Sequence, residues 1–272
     1  MKIGIIGIGN VGLQVLKDLN LSNKIKDTLF VEKILVRDKK KYLKILDLEF
    51  GKNNNFSKKL TDNFSDFINS DIQIVVELIG GMNPAKEYVE KSILSGKHVV
   101  TANKEIISNN IDHLTKLAYS KNVKLRFEAA VGAGIPLIEV LIDMLEQNNI
   151  SKLTGIINGT SNYILSSMHN SNKSFDESLQ EAQNLGFAES DPTNDVGGFD
   201  AKFKINILGS IAFSERIPLE SVSVSGIENL SQKDISYAQE FGYVIKLLAV
   251  TEIKSSKIYS NVSPYLVSNM HP

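Results

Sequence analysis

The sequence predicts a protein of two domains, a doubly wound parallel α/β domain followed by an α+β domain. Its 272 residues fit about two domains of roughly 150 residues each. Hydrophobic residues make up 42% of the chain and charged residues 22%, as in ordinary globular proteins. The first half alternates short apolar runs with amphipathic segments, which is typical of a parallel sheet covered by helices on both faces.

Charge and composition exclude several classes of partner and site. With 30 basic against 31 acidic residues the net charge is −1, so we expect neither nucleic acid nor an anionic membrane as a partner. No apolar run reaches the roughly 18 residues that a membrane-spanning helix needs. The sequence has no cysteine, which excludes disulfides and thiolate chemistry and favours the reducing cytoplasm.

The first half predicts five buried strands and four helices. The strands are brief and mostly β-branched, and they cover residues 3–6, 29–36, 72–79, 98–100 and 123–127. The helices cover residues 11–19, 42–50, 84–94 and 111–120. Pro84 suits the first turn of its helix, where a missing N–H costs nothing. We expect this domain to span residues 1–133.

The second half has longer strands and predicts an α+β domain over residues 134–272. Helices are predicted at 136–147, 161–168, 201–213 and 233–240, and strands at 153–157, 221–225, 243–252 and 258–267. Ser174 and Glu177 form a capping box ahead of a helix at 179–185, which Gly186 ends. Residues 189–198, rich in glycine and aspartate, are predicted to be a loop.

The segment Gly7-Ile8-Gly9-Asn10-Val11-Gly12 follows the first strand and opens a helix. Gly7 allows a tight turn, Gly9 lets a pyrophosphate approach the backbone, and Gly12 allows close packing of helix on strand. Asn10 and Val11 begin the helix, whose free N–H groups favour phosphate. This order predicts a Rossmann-type dinucleotide site. The alternative is a glycine turn kept for packing alone.

Arg37 and Asp38 follow the second strand and bear on the choice of cofactor. A carboxylate at this point favours NAD through the ribose hydroxyls, whereas a cation favours NADP through the 2′-phosphate. Three lysines follow Asp38, so Arg37 favours NADP slightly, but the choice stays open. The lysines are equally well explained as a solvated charge run.

Thr101 and Lys104 follow the short strand at 98–100, where open α/β sheets bind ligands. Lys104 could reach a cofactor or a substrate oxygen as a point charge. A surface lysine after a strand is the alternative.

Residues 189–204 concentrate charge ahead of an apolar helix. Glu189, Asp191, Asp195 and Asp200 lie within twelve residues. Asp200 and Lys204 are four residues apart and share a helix face. An exposed ion pair is the plain interpretation. The helix is apolar nearly all round, however, and a lysine within it is costly unless it is paired in a cleft.

Four segments together identify a family. Residues 155–164, 101–104, 128–136 and 189–204 closely resemble homoserine dehydrogenases. The resemblance implies an N-terminal Rossmann domain and a substrate domain that also forms a homodimer. It implies reversible, NAD(P)-dependent reduction of L-aspartate 4-semialdehyde to L-homoserine, on the route to threonine and methionine.

The resemblance also assigns roles to individual residues. Lys204 resembles the general acid/base, and Lys104 a cation that contacts cofactor and substrate. Glu189 resembles the carboxylate that holds the substrate amino group, with Asp195 and Asp200 in support. Chemistry agrees, because hydride delivered to an aldehyde carbon leaves alkoxide character on oxygen, which needs a proton and positive charge nearby.

Two further expectations come from the same resemblance. The segment of Glu128, Val131, Ala133 and Ile135 resembles a monovalent-cation site, usually for sodium, with a glycine-rich hinge as the alternative. Family members continue beyond the position of Pro272, so, if the polypeptide ends at Pro272, we expect part of the cofactor domain to be less covered than its strands require.

Two other functions remain open on the sequence. One is a different two-domain dehydrogenase acting on an amino acid such as aspartate, which would not explain residues 158–162 together with residues 189–204. The other is a cofactor-binding module that folds and dimerises but turns over poorly.

Overall fold

The computed structural model describes residues 1–21 and 28–271. The chain divides into two compact units, Met1–Pro136 and Leu137–Pro272, which we call unit 1 and unit 2. Each unit is built on one sheet. No helix within the described ranges is long and apolar enough to cross a membrane.

Unit 1 contains a six-stranded parallel sheet. The strands are β1 (Lys2–Ile6), β2 (Phe30–Leu35), β3 (Leu60–Thr61), β4 (Ile74–Glu77), β5 (His98–Thr101) and β6 (Leu125–Arg126). Their order across the sheet is β3-β2-β1-β4-β5-β6, and every pairing is parallel. The order reverses between β1 and β4, which is the switch point at which such sheets bind ligands. The predicted Rossmann-type fold is confirmed.

Five helices connect these strands in the described part of unit 1. They are α1 (Asn10–Leu21), α2 (Lys39–Phe50), α3 (Phe64–Ile68), α4 (Ala85–Leu94) and α5 (Lys104–Ser120). Parallel strands need right-handed crossovers, so the two halves of the sheet carry their helices on opposite faces. The core of the first half buries Ile5, Leu16, Ile34 and Leu46 completely.

Three features of unit 1 differ from the prediction. The strand β3 and the helix α3 are only two and five residues long, too short to produce a readable hydrophobic period. Helix α5 begins seven residues before the predicted start at 111. Its Asn103 cap accepts the Ile106 N–H at 3.2 Å, and Asn110 interrupts the helical backbone with φ −135°.

Unit 2 is built on a four-stranded mixed sheet, which confirms the α+β prediction. Its strands are β7 (Lys152–Gly155), β8 (Ser223–Val224), β9 (Tyr243–Lys254) and β10 (Lys257–Ser268), in the order β7-β9-β10-β8. The strands β9 and β10 form an antiparallel hairpin that pairs from Tyr243–Ser268 to Lys254–Lys257. Ser255 and Ser256 make its two-residue turn, both with positive φ, as a type I′ turn requires.

Six helices accompany this sheet among the described residues. They are α6 (Ile138–Leu145), α7 (Gly159–Ser171), α8 (Phe175–Asn184), α9 (Thr193–Val196), α10 (Phe199–Ala212) and α11 (Gln232–Glu240). The capping box of Ser174 and Glu177 forms as predicted. The interpretation of 189–198 as a loop throughout is wrong, because α9 lies inside it. The Asp191 carboxylate accepts the Thr193 N–H at 3.2 Å, an Asx turn that leads into this short helix.

Gly226 fixes the position of α9. A Cβ on Gly226 would lie 2.4 Å from the Val196 carbonyl oxygen and 2.7 Å from the Gly197 Cα. The Ile227 N–H donates to that same Val196 oxygen at 2.8 Å. Both obstructing atoms belong to the backbone, so no side-chain rotation relieves the contact. The loop after β8 therefore holds the end of α9 by direct contact between two backbones.

We expect Gly226→Ala to destabilise unit 2 by about 1–3 kcal/mol, as overpacking in a tight contact does. Urea unfolding followed by far-UV circular dichroism measures the loss. Gly159→Ala is the matched control, because a Cβ there meets no atom within 4 Å. Equal unfolding midpoints for the two variants would contradict the role given to Gly226.

Candidate functional site

The three glycines of the first turn differ in what surrounds them. Gly7 has φ +88°, and a Cβ there would lie 2.3 Å from the Ile79 Cγ2. A Cβ on Gly12 would lie 2.3 Å from the Gly7 carbonyl oxygen. Around Gly9 no atom of the chain lies within 4 Å of a Cβ. Gly7 and Gly12 are therefore required by the fold of the turn, whereas Gly9 leaves room for a ligand to approach the backbone.

The start of α1 faces solvent beside this turn. Gly9, Asn10 and Val11 are exposed, and Val11 remains 57% accessible. The first N–H groups of a helix have no partner within it and carry a partial positive charge. An exposed helix start next to an open glycine is a suitable place for a pyrophosphate.

Arg37 and Asp38 lie just beyond the end of β2. Asp38 is the N-cap of α2, and its carboxylate accepts the Lys41 N–H at 2.9 Å. Arg37 is exposed. Of the two side chains that could contact the cofactor ribose, Asp38 thus already caps α2, whereas Arg37 is exposed to solvent.

Thr101 and Lys104 occupy different environments at the end of β5. Thr101 is completely buried, and its hydroxyl makes a short hydrogen bond with the Glu77 carboxyl group. Lys104 is half-buried and begins α5. Of these two candidate residues, Thr101 faces the protein interior.

Glu77 and Asn103 belong to the same arrangement but were not among the predicted site residues. Burial raises the pKa of the Glu77 carboxyl to about 7, although hydrogen bonds from Thr101, the Ile79 N–H and Asn103 act in the opposite direction. In the sequence, Glu77 is visible only as a single carboxylate at the end of an apolar strand. Its raised pKa depends on burial by the neighbouring strands, which only the structure shows.

The segment of the predicted cation site winds tightly at the end of unit 1. The Glu128 carbonyl accepts the N–H groups of Val131 at 3.1 Å and Gly132 at 3.0 Å. Ala133 has φ +51°, and the Ile135 N–H donates to Gly132 at 2.9 Å. Among the described residues, no group of three or more acidic or histidine side chains could hold a metal. A cation site in this segment would therefore depend on backbone oxygens together with the single Glu128 carboxylate.

In unit 2 the structure brings Asp195, Asp200 and Lys204 together. The Lys204 Nζ lies 2.7 Å from the Asp200 Oδ2, and it donates to the Ile157 carbonyl at 3.0 Å. Side-chain exposure is 18% for Lys204 and 5% for Asp200. An ammonium group has three N–H donors. Among the described residues two of them are used, so one remains for a ligand.

Asn158 joins the two aspartates. Its amide Nδ2 donates to the Asp195 Oδ1 at 2.7 Å and to the Asp200 Oδ2 at 3.0 Å. Its Oδ1 accepts the Ser161 N–H at 2.8 Å and so caps α7. Asn158 was not among the predicted site residues. An asparagine before a helix signals a cap, but its contacts with residues 37 and 42 positions later have no local signal.

Glu189 lies on an adjacent loop that is tied down at two points. The Gln183 side chain donates to the Glu189 carbonyl at 3.1 Å, and the Thr160 hydroxyl donates to the Phe187 carbonyl at 2.7 Å. The Glu189 side chain itself is exposed. Thr160 belongs to the first turn of α7, so this loop is anchored next to the Asn158 cap.

Family models match both units of the chain. The model described as "Homoserine dehydrogenase, NAD binding domain" matches residues 7–128. The model described as "Homoserine dehydrogenase" matches residues 136–272.

Similar proteins extend over the whole chain. It is 39% identical to a homoserine dehydrogenase of Lactococcus lactis and 37% identical to one of Bacillus subtilis. Both matches cover 100% of this chain but only 64% and 62% of those proteins. The chain thus spans less than two thirds of the length of these relatives.

Solved structures give the same result. A homoserine dehydrogenase from Thiobacillus denitrificans superposes with a TM-score of 0.89 at 40% identity, covering all of this chain and 62% of that one. A putative homoserine dehydrogenase from Archaeoglobus fulgidus gives a TM-score of 0.85 at 29% identity, with 85% of that chain covered.

We expect Asn158→Ala to destabilise unit 2 more than Asn158→Ser. Both variants remove the amide N–H groups that serve the two aspartates, and a hydrogen bond to a charged group contributes about 1.5–3 kcal/mol. Serine keeps an N-cap oxygen, so the alanine variant should lose about 1 kcal/mol more. Unfolding free energies measure both losses, and equal stability of Asn158→Ala and the unmodified protein would contradict this account.

Proposed function

The chain belongs to the homoserine dehydrogenase family, and from that premise we propose that it reversibly reduces L-aspartate 4-semialdehyde to L-homoserine with a nicotinamide cofactor. The observation that carries the proposal is the Lys204–Asp200 pair, 2.7 Å apart in the apolar helix α10. This reaction would serve threonine and methionine synthesis. The lack of cysteine favours the reducing cytoplasm as its location.

The residues of the glycine turn fit a dinucleotide. Gly9 offers an open approach and α1 begins beside it, so we assign Gly7, Gly9, Asn10, Val11 and Gly12 to the pyrophosphate. When bound, the cofactor would supply the hydride. We take residues 1–133 as the cofactor domain and residues 134–272 as the substrate domain.

Lys204 is the proposed general acid/base. Reduction of the aldehyde turns its carbonyl oxygen into a hydroxyl, so a proton must reach that oxygen from the protein. The third N–H of Lys204 is the proposed donor. The ammonium also stabilises negative charge developing on the oxygen, while the Asp200 carboxylate compensates its charge in the partly buried site.

Glu189 and Asp195 complete the proposed site in unit 2, and Lys104 is the proposed cation of unit 1. The exposed Glu189 carboxylate would accept N–H groups of the substrate ammonium. Asp195, held by Asn158, would support that contact. Lys104 would add a positive charge toward cofactor or substrate, with Thr101 holding the strand end from which α5 begins.

A monovalent cation and a second protomer are further parts of the proposal. The carbonyl oxygens of Val131, Ala133 and Ile135, with the Glu128 carboxylate, fit a sodium ion in chemical type, since hard cations prefer oxygen ligands. We assign this ion no part in the reaction steps. The substrate domain would form a homodimer, as the family resemblance implies.

The direct test is oxidation of NADPH or NADH by the purified protein in the presence of L-aspartate 4-semialdehyde. Turnover that depends on this aldehyde supports the proposal. Cofactor binding without turnover would favour a binding module. Turnover with a different amino acid and none with the aldehyde would favour another dehydrogenase.

We expect Lys204→Ala to lower kcat by roughly 10²–10⁴-fold, the usual contribution of a general acid. Glu189→Ala should act mainly on the KM for the aldehyde, because it removes a binding contact. Lys202→Ala is the matched control on the same helix and should retain normal kcat. Steady-state kinetics measure all three variants, and near-normal kcat in Lys204→Ala would remove Lys204 from its role.

We expect Arg37→Ala to weaken NADPH binding more than NADH binding. A guanidinium–phosphate contact is charge-assisted, and NADH has no 2′-phosphate to replace it. Fluorescence titration of each cofactor measures the difference, with Lys116→Ala, at an exposed position of α5, as control. Equal losses for both cofactors in Arg37→Ala would show that Arg37 does not read the phosphate.

A further inference from the structure

Glu77 is a buried carboxyl group between the glycine turn that follows β1 and the segment that follows β5. It ends β4 and is 0% exposed. Its backbone pairs with Ile6 of β1 on one side and with Thr101 of β5 on the other. Ile6 directly precedes the glycine turn, and Thr101 lies three residues before Lys104. Glu77 is thus next to both segments.

The Glu77 side chain connects the loop after β4 with the end of β5. Its Oε1 accepts the Ile79 N–H at 2.8 Å. Its Oε2 accepts a short hydrogen bond from the Thr101 hydroxyl, and the Thr101 hydroxyl oxygen in turn accepts the Asn103 N–H at 3.0 Å. One carboxyl group therefore holds the loop after β4 and, through Thr101, the backbone that follows β5.

Asn103 extends the same network. Its amide donates to the carbonyl oxygens of Ile79 at 2.9 Å and Gly81 at 2.8 Å. Its own oxygen caps α5 through the Ile106 N–H. The loop at residues 79–81 and the start of α5 are consequently held as one piece.

This piece lies where the nicotinamide half of a dinucleotide would extend. The adenosine ribose is expected at Arg37 beyond β2, and the pyrophosphate at the glycine turn. The other half then reaches over the ends of β4 and β5. Ile79 lies directly against the turn, since a Cβ on Gly7 would meet its side chain at 2.3 Å and its nitrogen at 3.4 Å.

We propose that Glu77 is a positioning residue for the nicotinamide half of the cofactor, which it serves by holding Ile79, Thr101 and through them Asn103. The inference rests on the proposed function, since it requires that a nicotinamide cofactor binds. Glu77 itself lies below the surface and touches only protein groups.

The protonation state of Glu77 gives this role a measurable signature. Its pKa is raised to about 7 by burial, so it titrates near neutrality. The groups that pair with it or hydrogen-bond to it, from Ile6, Ile79, Thr101 and Asn103, are uncharged. The charged residue nearest along α5 is Lys104. Deprotonation adds a negative charge beneath an anionic cofactor. Cofactor affinity should therefore fall as the pH rises through about 7.

The experiment is a titration of NADPH into the purified protein between pH 6 and pH 8, followed by fluorescence. We expect the Kd of the unmodified protein to rise roughly two- to fivefold, as a cofactor-induced pKa change of about half to one unit gives over this pH range. Glu77→Gln imitates the protonated acid, because its carbonyl accepts the Ile79 N–H and its amide donates to Thr101. It should bind NADPH as tightly as the unmodified protein at pH 6, with a smaller rise toward pH 8.

Two further variants complete the comparison. Glu77→Ala should raise the cofactor Kd and KM more than it lowers kcat, and Glu77→Gln should restore both constants. Glu87→Gln, on the exposed face of α4, should behave like the unmodified protein. The 2′-phosphate of NADPH also titrates in this range, but it does so equally with every variant. Its effect on the Kd therefore cancels when the pH profiles of the variants are compared.

The pH profile decides the proposal even if the alanine variant does not fold. A rise in Kd that is unchanged in Glu77→Gln overturns it, as does a folded Glu77→Ala that binds NADPH normally. If the unmodified protein binds neither NADPH nor NADH, this inference and the proposed function both fail. A Glu77-dependent profile without turnover of the aldehyde contradicts only the proposed function.

Discussion

Unit 2 depends on one constraint: Asp200 and Lys204 are removed from water together. A buried carboxylate in an apolar helix is stable only with a positive partner and with hydrogen bonds to its remaining oxygen sites. Lys204 supplies the charge and Asn158 supplies the N–H, at 2.7 Å and 3.0 Å. Because Asn158 also caps α7 and holds Asp195 of α9, the three helices α7, α9 and α10 are fixed around one pair of charges. The proposed chemistry uses the part of that arrangement that still reaches solvent.

Local patterns in the sequence were sufficient for most elements but not for the short ones. The five predicted strands of unit 1 and the capping box at Ser174 follow from apolar periods and from residues three positions apart. The strand β3 is too short for any period, and helix α9 is only four residues long and has no side-chain N-cap to signal it. The early start of α5 depends on the Asn103 cap, whose side chain also satisfies carbonyl groups more than twenty residues earlier.

The candidate site likewise contains contacts that the sequence predicts and contacts that it does not. The spacing of Asp200 and Lys204 predicts their contact, because residues four apart share a helix face. The contact of Lys204 with the Ile157 carbonyl joins residues 47 positions apart and has no signal in the sequence. Glu77 is a similar case, because a carboxylate at the end of a strand reads as ordinary until the neighbouring strands bury it. Long-range contacts of this kind determine the environment of each reactive group.

The β9–β10 hairpin has a consequence for the order in which unit 2 assembles. All of its pairs lie within 26 consecutive residues, from Tyr243 to Ser268, and hairpins of this kind form in about 1–10 μs. The strand β7 must join β9 from a position some ninety residues earlier, and such distant pairings are slow because the intervening chain loses entropy first. We therefore expect the hairpin to act as the folding template of the sheet. The helices α7 and α10 would pack on this template afterwards, so the contacts of Asn158 with Asp195 and Asp200, 37 and 42 residues away, would be among the later ones to form.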